Sequence, residues 1–496
     1  MNFAAELEAS LKEFMACGPV ELHANDGHAS SLADLSWEVR GNGDRPLLHL
    51  WSERLNLTRR VLGITDQSKD RLVLKVERFG RGKPDRLEFV RRECERGARA
   101  LSRQEFCEEL RQLLGEQFPD ESIESLTISA DLEHSLSGNY ARGILRRGST
   151  RYAVLAVPHG ESSDSVDNSL TFALLWLTRA RQASAGAAIA GLRLILPKNT
   201  ARSVAHRFGA LDPRLAVELY EHNPRLNVLE SINPRSAGNV DTWLVAVRES
   251  ESLLNRAKPA LAWILAAEPK SVRLHPVVQT KEVYVRFRGL PFARWEDGRV
   301  YFGISDYREE LTAASRPALR QLLHGLEIYR HPLVSDTRHA LYRAQPERWL
   351  ESLVREDVTR VDAALDARFV YSQVFAGAAG EHGILDLLTM TRAGRLAILE
   401  LKASEHLHLP LQAADYWLRV RKHLEGGTIA RYGYFPGVEL QQVPPLVYLV
   451  APALRFHPST DELLKYLSPD MEVVRVGTTE SWRRGLRVVL RQKAKG

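Results

Sequence analysis

Five residues within a 31-residue stretch have the types and order needed to break a phosphodiester. Asp386 closes the run Gly383-Ile384-Leu385-Asp386, Glu400 and Lys402 follow in Leu399-Glu400-Leu401-Lys402, and Gln412 precedes Tyr416 by four residues. Two carboxylates are hard oxygen ligands of the kind Mg²⁺ or Mn²⁺ takes, with no need for His or Cys. Such a cation lowers the pKa of bound water and offsets charge on a reacting phosphate. Lys402 is then suited to orient the water or stabilise that charge.

The local pattern predicts how the carboxylates meet. Thr391-Arg392-Ala393-Gly394-Arg395 reads as a three-residue hairpin loop, with Gly394 at the left-handed position. Pairing Thr391 with Arg395 sets Met390 opposite Leu396, Leu388 opposite Ile398 and Asp386 opposite Glu400. Opposed Cβ atoms lie ~5 Å apart, and like charges there destabilise a sheet unless a cation separates them. Lys402 shares the face of Glu400. Gln412 and Tyr416 share a helix face. In the helix opened by Pro346, Glu351 falls on the stripe 347, 350, 351, 354, 358, as a third carboxylate or as a surface residue of a charged helix. His406 and His408, in the loop after Lys402, read as substrate-facing or surface groups rather than ligands.

These motifs, over about residues 340–480, resemble the PD-(D/E)xK nuclease superfamily, and Gln-x-x-x-Tyr resembles its RecB-like branch. The likeness covers under a third of the chain. It implies a restriction-endonuclease-like fold, a divalent metal on Asp386 and Glu400 with Glu351 as first-helix acid, and Lys402 as catalytic lysine. Gln412 and Tyr416 complete the expected catalytic set. Leu385 stands where the namesake proline would be.

The elements that must hold these groups run αβββαβαβ. They are a helix from Pro346, strands Phe369–Phe375, Gly383–Met390 and Arg395–Ala403, and a helix from Pro410 to about His423. The strand Leu446–Ala451, a short helix begun by a Ser459/Glu462 capping box and the strand Met471–Val476 follow. The middle of the chain repeats this order. Its helix Glu105–Phe118 is followed by strands Ser125–Asp131, Gly138–Arg146 and Arg151–Val157. Then come the helix Asp164–Arg181, the strand Gly191–Pro197, the helix Thr200–Phe208 and the strand Leu215–Tyr220. Arg151-Tyr-Ala-Val-Leu-Ala-Val-Pro158 resembles Arg395-Leu-Ala-Ile-Leu-Glu-Leu-Lys402, which suggests an internal duplication. Laid side by side, Ala156 and Pro158 take the places of Glu400 and Lys402, and Thr171 and Leu175 those of Gln412 and Tyr416. The second copy is then degenerate.

The expected fold class is therefore α/β with mixed (α+β) sheets, in four parts. Residues 1–95 form an antiparallel β domain, with turns such as Gly41-Asn42-Gly43-Asp44. Residues 96–232 are the degenerate copy, 233–340 a helical and β-hairpin connector, and 341–496 the nuclease-like domain. Glu296-Asp297-Gly298-Arg299 is a hairpin turn in the connector.

Composition frames the function classes. With 496 residues, 44% hydrophobic and 26% charged, the chain is ordinary for a globular protein. No apolar run approaches the ~18 residues of a membrane span. Three cysteines without a CxxC pair indicate neither a disulfide framework nor a zinc knuckle. The start lacks a signal-peptide pattern, so a cytoplasmic location is expected. Of the net charge of +6, the last 26 residues hold seven basic residues against Glu472 and Glu480. This tail is either a grip on backbone phosphates or a solvated, partly disordered C-terminus.

The leading expectation is a Mg²⁺-dependent DNA endonuclease or exonuclease in repair or in defence against foreign DNA. One intact centre per chain should nick; cutting both strands calls for a homodimer or two events. The alternative is a nucleic-acid-binding or assembly protein that keeps the fold without cleaving. RNA ranks below DNA as partner, since no RNA-binding module is recognisable.

Overall fold

A computed structural model describes residues 3–494 except 17–19, 25–28, 32–35, 41–45, 52–55, 69–70, 78–83, 92, 132, 185–187, 225, 235–241, 268–270, 305–307, 376 and 379–383. The turn Gly41–Asp44 and Gly383 therefore lie outside the described residues. The protein is mixed α and β with several sheets, and it divides into two compact units. Residues 1–100 and 249–349 form one; residues 101–248 and 350–496 form the other.

The second unit contains the candidate site and both copies of the repeat. In the middle copy, α1 (Glu93–Gln117) leads to β1 (Ser122–Thr127), β2 (Ala141–Arg147) and β3 (Thr150–Ala156). Then come α2 (Ser163–Ala183), β4 (Ile189–Pro197), α3 (Ala201–Ala205), β5 (Val217–Asn223) and β6 (Val228–Ile232). In the C-terminal copy, α4 (Pro346–Glu356) leads to β7 (Tyr371–Phe375), β8 (Ile384–Met390) and β9 (Leu396–Leu401). Then come α5 (Leu409–Glu425), β10 (Leu446–Pro452), α6 (Thr460–Leu464), β11 (Val473–Thr478) and β12 (Val488–Lys493).

The two six-stranded sheets have the same order and the same strand directions: antiparallel, antiparallel, parallel, parallel, antiparallel. Each parallel step crosses over through a helix, as parallel neighbours require. The strand order expected to recur is thus present in both sheets, and each carries one more antiparallel strand than expected, β6 and β12. Ser459 stands at the N-terminus of α6 but its side chain makes no capping hydrogen bond. The expected capping box is therefore not formed; the Ser459 N–H instead donates to His457 Nδ1 at 3.1 Å.

The copies meet as mirror roles of one another. Helix α5 packs against the 3₁₀ turn His206–Ala210 that follows α3, and α2 packs against α6. Between them Leu211 and Leu467 form an antiparallel bridge, with Asp212 N–H donating to Tyr466 O at 2.9 Å and Ser468 N–H donating to Ala210 O at 2.8 Å. A single apolar core runs through both, joining Leu170, Leu174 and Leu177 of α2 to Trp417, Val420 and Leu424 of α5.

In the other unit, a seven-stranded antiparallel sheet fills most of residues 20–91. Packed with it is a helix, Phe3–Ala16, which buries Leu7, Leu11 and Phe14 in a part of the chain for which no helix was expected. Residues 247–329 supply two helices and a five-stranded sheet around Leu261, Ile264, Phe287, Phe292 and Leu326. The turn at Asp297-Gly298 is present, with both residues at positive φ and Glu296 paired with Arg299.

Candidate active site

The hairpin β8–β9 closes as its residues dictate. Gly394 has φ +85°, Gly394 N–H donates to Thr391 O at 2.9 Å, and Thr391 N–H donates to Arg395 O at 2.7 Å. Met390 pairs with Leu396 and Leu388 with Ile398, which is the expected register. A loop clamps the turn from outside: Gln441 N–H donates to Gly394 O at 2.9 Å and Gln441 Nε2 to Ala393 O at 2.8 Å. A Cβ on Gly394 would lie 2.8 Å from the Glu439 carbonyl oxygen. Gly394→Ala should therefore cost about 2–3 kcal/mol, from the left-handed backbone and the clash together. A urea midpoint unchanged from wild type would refute this placement of the turn.

The ladder stops one step before the carboxylates. Its last pair is Leu387 with Leu399, while on its other side β9 stays paired with β10 through Leu401 and Val450. Lys402 N–H continues that side, donating to Val450 O at 2.9 Å. Where β8 parts from β9, the Leu401 N–H donates instead to Asp386 Oδ2 at 3.0 Å. The carboxylate takes the place of a strand carbonyl, and this bond fixes its rotamer at the mouth of the opened hairpin.

Around it the other groups converge. Glu400 is 1% exposed, Lys402 8% and Asp386 9%. Lys402 Nζ stands 3.5 Å from Glu400 Oε1. From α5, Gln412 Nε2 donates to the Tyr416 hydroxyl at 3.4 Å. Burial raises the Tyr416 pKa and the negative charges of Glu400 and Asp386 add to the rise, against the smaller opposing effect of Gln412. The phenol therefore stays protonated at neutral pH and beside the carboxylates. Two carboxylates and one lysine thus meet at the end of apolar strands. That donor set fits Mg²⁺ or Mn²⁺.

Glu351 is 5% exposed, on the α4 face that also buries Leu350 and Val354, so it is no surface residue. Among the described residues, no group of three or more His, Cys, Asp or Glu is gathered as a metal-holding cluster. At the end of the hairpin the oxygen donors are Asp386, on the Leu401 N–H, and Glu400, the residue before Leu401.

His408 is packed rather than presented to solvent. Its ring meets Phe172 of the middle copy at 5.5 Å and His406 at 5.8 Å. Burial pulls its pKa down to about 3, with His406, Arg207 and His457 adding repulsion, so the ring is neutral.

A group that sequence reasoning missed lies along α5. Asp415, next to Tyr416, is buried and accepts from Arg419 Nε at 3.2 Å and Arg419 Nη2 at 3.0 Å. His206 Nε2 of the middle copy meets Asp415 Oδ1 at 2.5 Å. Nothing in the string of residues links positions 209 apart; only the docking of the two copies does.

The middle copy has lost this chemistry, though not through the residues expected. Ala156 faces α1, in the core with Phe106 and Leu110, whereas Leu155 and Val157 face α2. Glu400 alternates with Ile398 on the α5 side, so Leu155 and Val157 take the places of Glu400 and Lys402. The offset arises at the turn: Arg147 pairs with Thr150 across two residues, not three. Arg142, paired with Leu155, stands where Asp386 would be. It is buried, with its guanidinium 5.9 Å from the Trp176 ring. A fixed cation and two aliphatic side chains exclude a divalent metal. Set against known proteins, the chain matches no family model, and no curated protein matches it.

Proposed function

We propose that this chain is a metal-dependent nuclease that hydrolyses phosphodiester bonds of DNA. The observation that carries the reading is the opened hairpin, where Asp386 is buried on the Leu401 N–H beside Glu400, itself buried and ion-paired with Lys402. Asp386 and Glu400 would hold Mg²⁺ or Mn²⁺, with Glu351 as the third acid. When bound, the cation supplies an activated water and offsets charge on the phosphate. Lys402, held by Glu400, orients that water and stabilises the negative charge that develops as the bond breaks. Tyr416, kept protonated, donates to a phosphate oxygen, and Gln412 fixes the direction of its hydroxyl.

With one intact site in a duplicated core, each chain makes a single break. Supercoiled plasmid with Mg²⁺ should thus accumulate as open circle before any linear product appears. Linear product formed first, at a rate that rises faster than in proportion to protein concentration, would point to a homodimer as the cutting species. No helix among the described residues is long and apolar enough to cross a membrane. We place the activity on cytoplasmic DNA, in repair or in defence against foreign DNA. The erased middle copy favours a second reading, a nucleic-acid-binding or assembly protein that does not cleave. Salt-dependent DNA binding unaffected by Asp386→Ala, with no cleavage of plasmid, single-stranded or branched DNA, would select it.

A further inference from the structure

The basic C-terminal stretch is folded through residue 494, and its position gives it a use. Lys402, Ala451 and Gly477 lie in one row across the ends of β9, β10 and β11, since Leu401 pairs with Val450 and Ala451 with Gly477. Two strand spacings, ~10 Å, separate the row's first and last members. The chain then makes a nine-residue loop, 479–487, before β12. In the middle copy the same connection, between β5 and β6, has four residues. The longer loop thus accompanies the intact site.

The loop is built rather than loose. Trp482 and Leu486 are buried beneath it. Trp482 N–H donates to Thr479 O at 3.1 Å, Gly485 N–H to Trp482 O at 3.1 Å and Thr479 N–H to Arg487 O at 3.0 Å. Arg483 lies over the Trp482 ring at 4.2 Å. Its one acid, Glu480, is engaged by the Leu454 N–H at 3.1 Å and by Arg455 at 3.6 Å. Arg484 and Arg487 are exposed. By contrast Arg475, Arg491 and Lys493, elsewhere in the basic stretch, are held by Asp461, by Val361 O and by Glu472.

We infer that Arg484 and Arg487 form a phosphate-tracking surface that holds the nucleic-acid backbone leading into the site. This rests on the nuclease reading and extends it to how the strand is gripped. Arginine suits the task because its planar fork pairs with phosphate oxygens in two places.

The test is DNA binding by the full chain carrying Asp386→Ala, without divalent metal. Fluorescence anisotropy of labelled duplex and single-stranded oligonucleotides of about 30 nucleotides is read over a range of KCl concentrations. Adding Arg484→Ala and Arg487→Ala should weaken binding roughly tenfold. It should also flatten the slope of log K against log salt by about 1–2, since each lost phosphate contact removes ~0.9 on duplex and ~0.7 on single strands. Arg484→Lys with Arg487→Lys should keep most of the slope. An alanine pair that melts like its parent and binds with unchanged affinity and slope overturns the inference. Failure of the wild-type chain to bind or cleave any DNA overturns the nuclease reading instead.

Discussion

Asp386→Asn is expected to abolish metal-dependent cleavage and at the same time to raise the melting temperature of the metal-free protein. The two effects share a cause. Asp386 and Glu400 are both buried, Asp386 accepts from the Leu401 N–H next to Glu400, and Lys402 pairs with Glu400. The asparagine oxygen can still accept the Leu401 N–H that Asp386 now takes at 3.0 Å. What it removes is the repulsion, leaving Glu400 and Lys402 as a neutral pair. A gain of about 1–2 kcal/mol follows, or a few degrees in Tm. Cleavage should fall by about a thousandfold or more, because the variant loses a ligand of the cation that activates water. Mg²⁺ should raise the melting temperature of wild type and leave that of the variant in place. Calorimetry showing a less stable variant, or equal stabilisation of both by Mg²⁺, would mean that the acids are not a strained metal pair.

Asp415→Ala should have the largest cost to stability. Asp415 is buried between His206 and Arg419, both of them buried as well. Removing the carboxylate leaves a buried guanidinium without its anion, which typically costs ~3–5 kcal/mol. Burial alone would raise the Asp415 pKa; His206, Arg419 and Arg207 together outweigh it and hold it at about 2. A carboxyl depressed below its unfolded value of ~3.9 stabilises the fold above that value. The contribution is lost as pH falls through about 2. Urea midpoints of wild type should therefore drop between pH 4 and pH 2, and Asp415→Asn should lose that part of the dependence. Because Gln412 and Tyr416 flank Asp415 on α5, the alanine variant should also cleave more slowly. A variant as stable as wild type would show that the inactive copy does not brace the active one through this contact.

The hairpin that carries the candidate site was more legible in the sequence than the frame around it. Met390 could be set opposite Leu396 and Leu388 opposite Ile398 because strand alternation has period 2 and Gly394 marks a turn of known length. The shared strand order was legible as well, since apolar runs and helix openings recur in sequence. The register of the middle copy was not. A turn one residue shorter, Gly148-Ser149, moves every side chain of β3 to the other face, and strings of Ala, Val and Leu conceal such a shift. Strand β12 escaped because it is a mostly exposed edge, where Val489, Arg491 and Lys493 give no buried face to recognise. The helix Phe3–Ala16 did carry a signal, Leu7, Leu11 and Phe14 at helical spacing, overlooked beside the strands that follow. Contacts such as His206 with Asp415 depend on how two copies dock, which no local pattern encodes.

The most direct test compares wild type, Asp386→Ala and Lys402→Ala on supercoiled plasmid with Mg²⁺, Mn²⁺ or EDTA. The expected result is nicking by wild type with either metal, none with EDTA, and none by the two variants. Equal nicking by all three proteins, or none by wild type on any DNA, would contradict a metal-dependent nuclease built on the opened β8–β9 hairpin.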